Sequence, residues 1–248
     1  MRTETIKIPH DGRVSDATVY IPGGDVRFPF VILSHGYNGH GDDCRDLAIK
    51  LAEAGIGAVT HTFCGGSTRD KSGFPTVDMT LFTECEDLSA VVDAVIAMPE
   101  SDGVAIYGES QGGLVTAMTA YMRPDDFFAA GMLYPAFCIP DNWSRTFPDV
   151  GDIPEYADFW GMRLGHDFFM TLRGIDMETV FAGYRGPVLI LQGTDDPIVK
   201  EADSAYAVGR YKNARLELFP GEGHGFSPDG RKRAVQLAAQ FFCEIRQL

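Results

Sequence analysis

The stretch AIYGESQGGLV, residues 105–115, runs as a short apolar segment, breaks at Gly108, presents Ser110, and resumes at once as an apolar helical pattern. A buried strand entering a helix needs only one glycine to turn. Here Gly108, Gly112 and Gly113 are grouped around a single serine. The G-x-S-x-G spacing presents a hydroxyl on a sharp strand-to-helix turn, with glycines letting the flanking backbones approach. With 28 glycines in 248 residues the pattern arises readily by chance, so its weight depends on its surroundings.

Those surroundings alternate. Residues 3–9 and 15–21 read as two strands joined at HDGR, and FPFVILSH (28–35) as a buried strand. Residues 42–55 place Leu47, Leu51 and Ala54 on one helical face, and 56–63 follows as a strand. A helix is predicted over 80–98, a strand over 103–107 into the elbow, a helix from there to about Tyr121, and a strand over 127–135. GPVLILQG (186–193) and ARLELFPG (214–221) are further strands around a helix near 200–210. The last helix opens with Ser227 as N-cap and Pro228 in its first turn. Strands alternating with helices predict an α/β class, with a mostly parallel central sheet and helices on both faces. Ligands then sit at the carboxyl ends of the strands.

Residues 137–182 break the rhythm, being far longer than one crossover helix requires. We read them as a short inserted cap within a single domain spanning 1–248. The segment holds both tryptophans, Trp143 and Trp160, with Tyr156, Phe159, Phe168 and Phe169. These rings are the candidate substrate-binding residues of an apolar pocket roof.

The charge balance of 21 basic and 35 acidic residues gives a net charge of −14, which disfavours nucleic acid and anionic membrane surfaces as partners. Cys44, Cys64, Cys85, Cys138 and Cys243 include no C-x-x-C pair, so neither a disulfide framework nor a metal site is expected. The N-terminus lacks a signal-peptide pattern and no apolar run reaches membrane-span length, so the chain reads as cytoplasmic. Homo-oligomerisation is left open.

A serine hydroxyl is a poor nucleophile until a base takes its proton, and neutral imidazole serves best near pH 7. Of the six histidines, His224 in FPGEGHGF lies on a glycine-flanked loop between the last strand and last helix, able to reach the sheet's carboxyl edge. His10 lies in the first hairpin, His166 in the cap, and His40 and His61 near the edge without a carboxylate in the expected place. His35 reads as a strand-end residue holding its loop. The orienting carboxylate comes from LILQGTDDPIVK, as Asp195 or Asp196. Oxyanion donors are expected at the backbone N–H of Gln111, directly after the serine, and of Tyr37, after the FVILSH strand.

The motifs HGYNGHGDD, YGESQGGLV, GTDDPIV and GEGHGF together resemble the α/β-hydrolase superfamily over essentially the whole chain. Among its branches the sequence is most similar to carboxylesterases and the small bacterial cinnamoyl or feruloyl esterases. The resemblance implies the order Ser110, Asp196, His224 for a catalytic triad, with Asp196 chosen over Asp195 by the G-x-x-D-x-x-V spacing of Gly193 to Val199. It implies a cofactor-free hydrolase of small or aromatic esters. An acyl aminopeptidase-like peptidase, a thioesterase and a non-catalytic ligand-binding protein are the alternatives. Two departures stand out: Glu109 where these esterases usually carry histidine, expected to tune the site's field, and FCGGST (63–68), expected to flank the pocket.

Overall fold

The computed structural model describes residues 1–24 and 27–247. Two antiparallel strands, β1 (Arg2–His10) and β2 (Arg13–Ile21), open the chain. They turn at Asp11 and Gly12, whose φ of 42° and 76° give the two left-handed residues a tight hairpin requires. Then come β3 (Phe28–Ser34), α1 (Arg45–Glu53), β4 (Gly57–His61), α2 (Leu81–Ile96), β5 (Ser101–Glu109), α3 (Gln111–Met122) and β6 (Phe127–Leu133). After an inserted segment the alternation resumes with β9 (Val188–Gly193), α7 (Glu201–Val208), β10 (Ala214–Phe219) and α8 (Pro228–Arg246).

The sheet order is β1-β2-β4-β3-β5-β6-β9-β10. β1, β2 and β4 pair antiparallel, and every pair from β4 to β10 is parallel. β3 is buried at every residue, as expected of a strand covered on both faces. Its alternation sorts the core into two layers. Phe30 and Ile32 pack with Val104 and Ile106 against Leu88 and Val91 of α2 and Leu114 and Val115 of α3. Val31 and Leu33 pack with Ala105 and Tyr107 against Leu47 and Leu51 of α1 and Ala238 and Phe242 of α8. Apolar runs without polar alternation therefore form strands here because both faces are dry.

Between β6 and β9 lie α4 (Ile139–Thr146), a two-stranded antiparallel hairpin of β7 (Tyr156–Phe159) and β8 (Met162–Gly165), α5 (His166–Leu172) and α6 (Met177–Gly183). The hairpin turns through Trp160 and Gly161, both with positive φ (41° and 81°). Among the described residues, no helix is long and apolar enough to cross a membrane.

Candidate active site

Ser110 stands between the end of β5 and the start of α3 with φ 52° and ψ −118°, a conformation that strains any residue with a side chain. The surrounding structure enforces it: the Ser110 N–H donates to Leu133 O at 3.0 Å, and its carbonyl accepts from Gly113 N and Ala136 N, each at 2.9 Å. Only glycine fits on either side. A Cβ on Gly108 would collide with the backbone of Gly112, and one on Gly112 would collide with the carbonyl of His35. The elbow thus locks α3 against β5 and against the loop after β3.

The loop after β10 brings His224 to this serine, its Nε2 lying 3.0 Å from Ser110 Oγ. His224 Nδ1 lies 2.8 Å from Asp196 Oδ2, so with Nδ1–H donated to the carboxylate, Nε2 is left to accept from the serine hydroxyl. Asp196 has a fully buried side chain, and its other oxygen accepts the N–H groups of Ile198 (2.8 Å) and Val199 (2.9 Å). Asp195 is exposed, its carboxylate accepting from the Thr194 hydroxyl at 2.9 Å. Of the two candidates, the fold brings Asp196 to the imidazole. Tyr134, which the sequence did not single out, packs its ring 4.5 Å from that imidazole. Its position one residue past the end of β6, at the same edge as the elbow, was the available signal.

The loop after β3 runs beside the serine, where a Cβ on Gly36 would meet Ser110 Cβ at 3.1 Å. Among the described residues, no carbonyl or side chain takes up the N–H of Tyr37 or of Gln111. Both remain free to donate to a substrate oxygen. The Gln111 side-chain amide reaches the other way, donating to both oxygens of Glu84 at 3.0 and 2.9 Å. Burial pushes the Glu84 carboxyl up to about 8. His35 holds the loop: Phe63 N–H donates to its Nε2 at 3.1 Å, so Nδ1 carries the proton and donates to Gly36 O at 2.7 Å. Burial drives its pKa down to about 4, which keeps that neutral tautomer.

A cavity of about 360 Å³ opens at Ser110. Trp143, Phe159, Trp160 and Phe168 of the inserted segment line it, but Tyr156 and Phe169 do not. Alternation along β7 explains the first correction, since Phe159 faces inward while Tyr156 lies on the exposed face, with Arg163 over its ring at 5.8 Å. Phe169 is buried behind the wall, packed edge-on against Trp143 at 4.8 Å. The sequence missed Cys138, Ile139, Asn142 and Ile198, which also belong to the lining. Their proximity to the serine depends on how α4 and the loop after β9 fold back, which periodicity does not encode.

Residues 63–68 do not line this cavity. They brace the loop after β3 from behind, through Phe63 on His35 and through Thr68, whose N–H and hydroxyl each donate to Asn38 Oδ1 at 2.9 Å. Glu109 is also a supporting residue, buried and paired with Arg231 at 2.6 Å. His10, Cys64 and Asp87 place ligand-type atoms within 4.8 Å of one another. Their bonds are already taken: Asp87 contacts His10 Nε2 and Cys64 N–H, each at 2.7 Å, and His10 Nδ1 contacts Ile8 O at 3.0 Å. Burial also pushes the Cys64 thiol up to about 11, disfavouring the thiolate that a metal needs. The cluster reads as a fastening of the first hairpin to α2.

Residues 82–247 match the prolyl oligopeptidase family (Peptidase_S9). The chain belongs to this family. It is a serine hydrolase of the α/β-hydrolase superfamily, with esterases among its structural neighbours. Est1E of Butyrivibrio proteoclasticus, solved with ferulic acid bound, superposes with a TM-score of 0.90 at 27% identity, covering 98% of this chain and all of that one. Dipeptidyl aminopeptidase BIII of Pseudoxanthomonas mexicana is 27% identical over 86% of this chain, which spans only 31% of that relative's length. A non-heme haloperoxidase of Rhodococcus erythropolis is 47% identical over 60 residues, 24% of this chain and 19% of its own. The chain thus matches Est1E end to end and the dipeptidyl aminopeptidase over about a third of the latter's length.

Proposed function

We propose that this protein hydrolyses carboxylic esters with aromatic or other apolar groups through an acyl-enzyme. The carrying observation is the Ser110–His224–Asp196 chain of hydrogen bonds whose serine lines a cavity that, among the described residues, has no charged side chain in its lining. Ser110 Oγ attacks the ester carbonyl as His224 Nε2 takes its proton. Asp196 holds the imidazolium, and the Tyr37 and Gln111 amides receive the oxyanion, each such donor being worth about 3 to 4 kcal/mol in the transition state. His224 returns the proton to the leaving alcohol, and water repeats the sequence to free the acid. The apolar group of the substrate lies against Trp143, Phe159, Trp160 and Phe168. The ferulic acid bound to Est1E supports this reading of the cavity.

A peptidase is the second reading, favoured by the family match and by the aminopeptidase relative. An aminopeptidase must hold a charged peptide terminus, and an uncharged lining gives it no partner within the cavity. Purified protein assayed on methyl ferulate, p-nitrophenyl butyrate and a dipeptide p-nitroanilide, with Ser110→Ala as blank, separates the two. Turnover of the esters with no release of nitroaniline is expected. Preferential cleavage of the anilide would overturn the ester reading in favour of the peptidase.

A further inference from the structure

Tyr37 belongs to two structures at once. Its backbone N–H is the oxyanion donor of the reading above, on which this inference rests. Its phenol leaves the loop and donates to the Phe159 carbonyl at 2.7 Å, with the Met162 carbonyl also within reach at 3.4 Å. Those two carbonyls flank the Trp160–Gly161 tip of the β7–β8 hairpin. The Tyr37 ring meets Phe159 edge-on at 5.4 Å and Trp160 at 6.3 Å. Asn38, the next residue, donates weakly to the Trp160 carbonyl at 3.4 Å.

A hairpin of two four-residue strands does not hold its own position in water, so its placement is decided by what it touches. On the β8 side it is tied by the Thr76 hydroxyl to the Arg163 carbonyl at 2.8 Å. At the tip, where Phe159 and Trp160 form one wall of the cavity, the Tyr37 hydroxyl supplies the short bond. We infer that Tyr37 is a positioning residue that joins the aromatic wall of the cavity to the oxyanion loop, and thereby sets the preference for aromatic over acetyl esters. A ring packed against Phe159 fixes the hairpin, the hairpin fixes the phenol, and the phenol fixes the loop carrying the donor amide. Because such coupling is reciprocal for binding, an aromatic substrate improves its own oxyanion site. An acetyl group is too short to reach the wall and draws no such benefit.

Tyr37→Phe removes the hydroxyl while keeping the ring and the N–H. The test compares p-nitrophenyl cinnamate with p-nitrophenyl acetate, which share a leaving group. The cinnamate-to-acetate ratio of kcat/KM should fall by about fivefold or more, the value of one ordinary hydrogen bond. For cinnamate, kcat should fall as well as KM rise. In a Phe159→Ala background the same substitution should change the ratio by less than about twofold, because the wall it positions is already gone. A ratio within about twofold of the wild type overturns the inference. Loss of folded protein or damage to the donor amide lowers both esters together and leaves the ratio in place. Equal effects in the two backgrounds overturn it as well. If neither ester is cleaved above the Ser110→Ala blank, the esterase reading fails separately. Hydrogen exchange at 156–165 then decides the positioning role: faster exchange there in Tyr37→Phe upholds it, and unchanged exchange overturns it.

Discussion

Arg231 Nη1 lies 2.6 Å from Glu109 Oε1, so the last helix reaches under the sheet edge to the residue just before Ser110. Arg231 also forks onto Asp46, with Nε and Nη2 each at 2.7 Å, and donates to the Asp43 carbonyl at 3.1 Å. Helix α8, helix α1 and the elbow are thereby joined through one guanidinium. Burial raises the Glu109 carboxyl while Arg231 opposes that shift.

Removing the cation strands a buried carboxyl. Arg231→Met should destabilise the fold by about 3 to 5 kcal/mol, as expected when one member of a buried pair is lost. Glu109→Gln in the same background should recover part of that loss. Urea denaturation of the single and double variants checks both expectations.

The two aspartates of the β9 loop should behave oppositely. Asp196→Asn, which loses the acceptor that orients His224, should lower kcat about 10⁴-fold with the fold intact. Asp195→Asn, on an exposed side chain, should leave kcat within about twofold. Steady-state kinetics on one activated ester is sufficient.

Stability should peak near pH 6.5. Burial lowers His35 to about 4 and His61 to about 3 from a usual 6.5, so the unfolded chain binds protons that the folded one refuses. Stability is therefore lost as pH falls below 6.5 toward 4. Glu84 has the opposite sign: raised from 4.5 to about 8, it holds a proton in the folded state that the unfolded chain releases. Its contribution is therefore lost as pH rises from about 4.5 to 8, by at most about 1.4 kcal/mol per pH unit, and above 6.5 the two histidines no longer offset it. Glu84→Gln keeps an acceptor for Gln111 and should abolish that alkaline loss. Thermal denaturation of both proteins across pH 5 to about 8.5 shows whether the alkaline slope belongs to Glu84.

The two faces of β7 should separate in an aromatic-ester assay. Phe159→Ala should raise KM for methyl ferulate about tenfold, having removed a ring from the cavity wall. Tyr156→Ala, on the exposed face, should change it by less than about twofold.

The sheet was legible because its central strands, such as β3 and β9, are dry on both sides and because some of its helices open on recognisable caps. Ser227, for example, caps α8 through its hydroxyl on Gly230 N at 3.1 Å. The predicted strand over 186–193 is observed at Val188–Gly193, and the helix over 80–98 at Leu81–Ile96. The elbow was legible because the close approach at Gly108 and Gly112 admits no side chain. The cap was legible only as an interruption. Tyr156 and Phe159 alternate between exterior and wall over a four-residue strand, too short for periodicity to assign a face, and Phe169 of α5 is buried one layer behind the wall, so Tyr156 and Phe169 were grouped with the true lining. The support beneath the site was hidden for another reason. Glu84 and Arg231 reach it by long-range contacts, and nothing local in their sequence marks them.

The most direct test of the account is to trap the covalent intermediate. Protein mixed with excess p-nitrophenyl cinnamate and acid-quenched within the first turnovers is digested and its peptides weighed. A cinnamoyl mass is expected on the peptide containing Ser110, absent from Ser110→Ala and sharply reduced in His224→Ala. Folded protein that releases nitrophenol no faster than Ser110→Ala, with no acyl group on Ser110, would contradict it.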